Sequence, residues 1–197
     1  MKSIGIKITA ATAVVALTML TGACSNEKPA DPTPKTSATP TATPSPTTER
    51  EKAIAAAEAA LVRYLKVYDE LAKDPAGDIK TLESVAGGTG LALAQRIVSQ
   101  REKRGLRSLV SATRTSTKVV EVTLANDLEK GEVPTVVLEV CSDARKAQTV
   151  DSAGKTVEPD APNDYPKIRY GLSNFGYPDG ERWVLAFSDY DGKASCK

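Results

Sequence analysis

The chain has 197 residues, with 26 basic and 25 acidic side chains and no histidine. The near-balance of charge excludes non-specific nucleic-acid binding as a driving interaction. The missing imidazole removes the usual serine and cysteine triads, histidine metal sites and the commonest general base.

Lys2 and Lys7 form a short positive region, and Ile8 to Leu20 follow as an apolar run of roughly 13 residues. Crossing a bilayer takes about 20 apolar residues, and Thr9, Thr12 and Thr18 dilute this run, so it predicts a signal peptide over 1–23. Leu20-Thr21-Gly22-Ala23-Cys24 ends it, and the small Gly22 and Ala23 suit a narrow peptidase cleft. Cleavage before Cys24 would expose a thiol for acylation, and the stretch resembles the lipobox of bacterial lipoproteins. One departure stands out: the bulky Leu20 lies one place further upstream than usual, with Thr21 where leucine is commonest, which predicts slow cleavage. The resemblance implies a lipid anchor on Cys24 at the outer, extracytoplasmic face of the cytoplasmic membrane. Two thioether-linked acyl chains hold stably there, where one binds only marginally. Removing Lys2 and Lys7 from the 26 basic residues leaves 24 against 25 acidic ones, a mature charge near −1.

With Cys24 acylated, Cys141 and Cys196 remain as a pair in an oxidising exterior, and a disulfide between them is expected. Residues 24–48 read as a tether. From Ser25 to Thr48 nearly every residue is Pro, Thr, Ser, Ala or charged, a composition that cannot bury a core. Its reach lies between roughly 30 Å as a coil and about 75 Å extended.

The folded domain is placed at 49–197. Thr48 with Glu51 forms a capping-box signature, and Ile54, Ala57, Leu61, Tyr64, Leu65, Tyr68 and Leu71 recur at helical spacing. Pro75 and Gly77 stop that helix near Asp74. A short second helix is predicted over Asp78 to Val85. A third is capped by Thr89, carries Leu91, Ala94, Ile97 and Val98 on one side, and is closed by Gly105. The basic run Arg101, Lys103, Arg104 and Arg107 suits the negative end of the third helix, a reading preferred here to an anionic-ligand patch.

Beyond Gly105 the period becomes two. Val120, Val122 and Leu124 are expected on one face against Val119, Glu121 and Thr123, and Val136, Leu138 and Val140 against Val137, Glu139 and Cys141. Asp127 to Gly131 and Ser152 to Lys155 are turns, Ile168, Tyr170 and Leu172 resume the sheet, and a last hairpin turns at Tyr177 to Gly180. Its return strand is expected to place Trp183, Leu185 and Phe187 together.

The predicted fold is α+β: three N-terminal helices packed on a curved antiparallel sheet of about five to six strands. The order resembles the nuclear-transport-factor-2-like (SnoaL-like) cone. The details are similar to small Pro/Thr-tethered lipoproteins of high-GC Gram-positive bacteria and their phages: the helix over 49–73, the cysteine strand followed by Val150-Asp151-x-x-Gly154-Lys155, Gly180-x-x-Trp183-x-Leu185, and Cys196. That resemblance implies a non-catalytic envelope module whose partner is an envelope protein or a small apolar ligand, and it admits a phage-related exclusion role. Relatives by fold include isomerases and lyases with an Asp and a Tyr in the cone's mouth, for which Asp69, Tyr64 and Tyr68 are the candidates here. The bland alternative makes Tyr64 and Tyr68 core residues whose hydroxyls reach an edge. Gly87-Gly88-Thr89-Gly90 lacks the Lys-Ser/Thr pair of a phosphate loop and reads as a connector. Asp189, Asp191 and Glu181 read as a solvated turn rather than a cation site. No cofactor or metal is expected.

Overall fold

Helix α1 runs from Glu49 to Lys73 and begins as the sequence predicts. Thr48 Oγ1 accepts from the Glu51 amide, and the Glu51 carboxylate accepts from the Thr48 amide at 2.7 Å, so two of the orphan donors at the helix start are satisfied. Its buried stripe is Ala53, Ala57, Ala60, Leu61, Tyr64, Leu71 and Ala72; small alanines face the sheet while Ile54, Leu65 and Tyr68 flank it half-buried. The computed structural model describes residues 48–158, 163–177, 182–190 and 192–197. Cys24, the signal peptide, most of the tether, Glu181, Asp191 and the turn residues Pro178 to Gly180 lie outside them.

The second helix is a 3-10 helix, Ile79–Ser84, with Asp78 capping its start through the Lys80 amide at 3.0 Å. Helix α2, Gly88–Lys103, differs from expectation at its cap. Gly87, not Thr89, is the N-cap, and Thr89 Oγ1 instead donates to Ala186 O at 3.1 Å. Ala94 and Val98 form its buried side, and Gly105, at φ +63°, lets Leu106 donate back to Arg101 O at 2.8 Å.

Six strands follow: β1 Arg107–Val110, β2 Thr113–Thr123, β3 Thr135–Asp143, β4 Gln148–Val150, β5 Lys167–Asn174 and β6 Trp183–Asp189. They do not form one sheet. β2-β3-β5-β6 make a four-stranded antiparallel sheet, and β1 and β4 pair separately as a two-stranded one. β1 escaped the sequence because Arg107-Ser108-Leu109-Val110 has no alternation, and its pairing with β4 skips Leu109.

Bulges also change which side chains face the helices. In β2 the partners of Val119 and Glu121 are Leu138 and Val137, leaving Val120 as an extra residue. Val119 therefore joins Val122 and Leu124 on the core and Val120 turns outward at 40% exposure, so the simple alternation holds at Val122 and Leu124 and fails at Val119 and Val120. In β6, Leu185 opposes Leu172 but Phe187 opposes Gly171, with Ala186 the extra residue. Phe187 thus leaves the Trp183–Leu185 face, and its ring fills the space over Gly171 that a Cβ would need.

The core between α1, α2 and the larger sheet contains Leu61, Leu82, Leu138, Leu172 and Leu185, all with no exposed surface. Each contributes about 1.5–3 kcal/mol through burial. The outer edge of β6 is covered rather than open: Gly87 donates to Leu185 O at 2.8 Å and Leu185 donates to Val85 O at 3.0 Å. The described chain from Thr48 onward belongs to one compact unit that contains this whole core.

Candidate functional site

At the Asp143 end of the sheet, helix and sheet do not close on each other. The C-terminal half of α1, the end of α2, β1 and strands β3 to β5 enclose an open cleft of about 550 Å³. Leu65, Val110, Val140, Ile168 and the rings of Tyr68 and Tyr170 supply apolar walls, and Arg101, Ser108, Ser111 and Asp69 supply polar groups. The volume falls in the range of small-molecule sites, which combine apolar walls with a few placed polar groups.

The candidates Asp69 and Tyr68 both line this cleft, whereas Tyr64 lies behind it in the core at 5% exposure. The three tyrosines form a cluster. Tyr64 stacks on Tyr68 with ring centroids 5.8 Å apart and meets Tyr170 at 6.2 Å in a tilted pair. Burial raises the Tyr64 phenol well above its ordinary value, with Tyr68 and Tyr170 adding to it. Burial and then Tyr68 push Tyr170 up to about 12. Burial also raises Tyr68, against the opposing charge of Arg101. All three therefore stay protonated at neutral pH. None of their hydroxyls has a hydrogen-bond partner among the described residues.

Asp69 is fixed on both oxygens. Oδ2 pairs with Lys73 Nζ at 2.6 Å, one turn along α1, and Oδ1 accepts from Ser111 Oγ. Burial pushes its carboxyl up, but hydrogen bonds from Lys73 and Ser111 and the charge of Lys73 outweigh that and hold it below the ordinary aspartate value.

Tyr170 is a site residue that the sequence reading took only as a strand residue, and Arg101 is one it read as a helix-end cation in preference to part of an anionic-ligand patch. Arg101 reads as a cation at a helix end, yet it follows Ala94 and Val98 at steps of four and three on the buried side of α2. That spacing was the available signal. Its Nη2 donates to Ser108 Oγ at 2.9 Å and reaches Ala72 O at 3.5 Å, while Nε is buried without an acceptor.

The disulfide expected from the cysteine count is present beside this cleft. Cys141 on β3 is bonded to Cys196, with Cα atoms 5.9 Å apart, so the chain end is stapled to a central strand of the sheet. The glycine-rich 87–90 segment caps and opens α2 against β6: Gly87 donates to Leu185 O, and a Cβ on Gly90 would lie 2.9 Å from the Ala186 backbone. Among the described residues no cluster of Cys, Asp and Glu is arranged to hold a metal, and no helix is long and apolar enough to cross a membrane.

No protein-family model matches the chain, and no curated protein is significantly similar to it. Its structure is similar to the crystal structure of the intermembrane space region of the chloroplast protein ARC6, at 18% identity and a TM-score of 0.44, covering 74% of this chain and 98% of that one. An overlap that loose carries no functional argument.

Proposed function

We propose that this chain is a lipid-anchored envelope protein, tethered through Cys24 at the outer face of the cytoplasmic membrane, whose cleft acts as a non-catalytic binding site. Helices on one side of a bulged antiparallel sheet are consistent with a cone of the nuclear-transport-factor-2-like kind. The observation that carries the reading is the state of Asp69. It is the one carboxylate lining the cleft, and both its oxygens are held by Lys73 and Ser111.

The isomerase or lyase reading rests on a specific feature, since Asp69 and Tyr68 line the same cleft. It requires a carboxyl raised towards neutrality by an apolar setting, the opposite of the direction at Asp69. An NMR pH titration of Asp69 separates the two. A midpoint below 3.8 supports binding, and one above about 6 moves the assignment to acid–base catalysis. The anchor has its own check: Cys24→Ala should move the protein from the membrane fraction, or stall it as an unprocessed precursor. A processed variant that still partitions into detergent with the membranes would overturn the anchor.

A further inference from the structure

Apart from Asp69, every polar side chain lining the cleft can donate a hydrogen bond. Arg101 has five N–H donors and no acceptor, and only its Nη2 is in use, by Ser108 Oγ and Ala72 O. Nε is buried with no acceptor among the described residues, a costly arrangement for a guanidinium unless something else completes it. The protonated hydroxyls of Tyr68 and Tyr170 add two further donors without a protein partner. The one carboxylate in the lining, Asp69, is already engaged on both oxygens by Lys73 and Ser111.

Charge points the same way. Lys66, Arg101 and Arg114 line the cleft against the single carboxylate of Asp69, and among the described residues none of the three cations is in an ion pair. Around these donors the wall is hydrocarbon and aromatic. A ligand complementary to it has an apolar body and a head that accepts hydrogen bonds and carries negative charge. With Nη2 committed to Ser108 and Ala72, Nη1 is the guanidinium nitrogen left to give a carboxylate a charge-assisted hydrogen bond.

We propose that the cleft is a site for an apolar carboxylic acid, its carboxylate held by Arg101 and the Tyr68 hydroxyl and its body lying against Leu65, Val110, Ile168 and the Tyr170 ring. This rests on the reading of the cleft as a binding site and names what it binds.

The test is calorimetric titration of the Thr48–Lys197 segment, which holds the whole described core and the disulfide, with decanoate, decanol and decyl phosphate at neutral pH. Decanoate should bind at least about tenfold more tightly than decanol, the advantage expected of a charge-assisted hydrogen bond. Arg101→Met should abolish that preference, and Arg101→Lys should keep part of it. Should Arg101→Met fail to fold, Tyr68→Phe tests the same head-group contact: decanoate should weaken by about threefold with decanol unchanged. Equal binding of decanoate and decanol, or a preference that survives Arg101→Met, overturns the assignment while leaving the cleft an apolar site. A preference for decyl phosphate overturns the carboxylate in favour of a phosphate head group. If none of the three probes binds, the binding-site reading itself fails.

Discussion

The two ends of the four-stranded sheet are held by different forces. Towards Thr135 the layers close on side chains: Val136, Leu138, Leu172 and Leu185 are buried against Leu61 and Leu82. Towards Asp143 the same strands line the cleft, and the ties are covalent and polar. Cys141 is bonded to Cys196, Asn163 Nδ2 donates to Ala194 O at 3.1 Å, and the Tyr165 ring lies under Lys197 Nζ at 3.8 Å and Arg145 at 5.1 Å. An end that stays open cannot be stabilised by filling it, because filling removes the site. It has to draw on links at its rim that act without occupying the cavity.

The largest expected effect breaks the rim. Reducing the disulfide, or replacing both cysteines by serine, frees a loop with a sequence separation of 55 residues. On the chain-entropy model this lowers stability by about 4 kcal/mol. Urea unfolding of the Thr48–Lys197 segment with and without reductant measures it, and amide exchange should show protection lost first around β3's Asp143 end and the chain terminus. Uniform loss of protection across α1 and the sheet would mean that the two ends are not separately held.

A matched pair of substitutions sharpens the contrast further. Leu138→Ala, at a fully buried position, should cost about 3 kcal/mol, because transfer and cavity terms add where the surroundings cannot collapse. Leu65→Ala removes the same atoms from a half-buried wall of the cleft, where water already has access, and should cost about 1 kcal/mol. Equal costs in chemical denaturation would mean that the cleft wall is packed as tightly as the core.

Much of the closed end was legible in the sequence, and little of the open end was. The Thr48–Glu51 capping box, the helical spacing of α1 and the alternation of Val136, Leu138 and Val140 are local signals, and each appears where expected. Parity failed at Val120 and Phe187. One extra residue in a strand flips every side chain beyond it, and pairing register is a property of two strands rather than one. The cleft has no local signature at all. It gathers Tyr68 from α1, Arg101 from α2, Ser108 from β1 and Tyr170 from β5, residues that only the assembled layers bring together. Tyr68 and Asp69 drew notice because their residue types suggest chemistry, while Arg101 passed as a solvated helix-end cation because charge outweighed position. The short, unpatterned β1 hid the second sheet, and with it one wall of the cleft.

The smallest effect concerns Asp69 and asks whether an ion pair contributes to holding the cleft end. Its carboxylate and Lys73 are 33% and 52% exposed, so solvent screens the pair, and Asp69→Asn should cost only about 0.5 kcal/mol at neutral pH. The pH dependence has a definite sign. Because the folded-state pKa is lowered, the contribution is present above the ordinary aspartate value of 3.8 and is lost as pH falls through Asp69's own lower value. Wild type and Asp69→Asn should therefore differ slightly at neutral pH and converge in acid. The decanoate titration should respond differently, since removing the only carboxylate lining the cleft favours an anion there. Tighter decanoate binding in Asp69→Asn, with near-unchanged stability, would place Asp69 as a tuner of the cleft's charge rather than a support of its fold. A loss of several kcal/mol would instead make the Lys73–Asp69–Ser111 linkage a structural tie between α1 and the residue that follows β1.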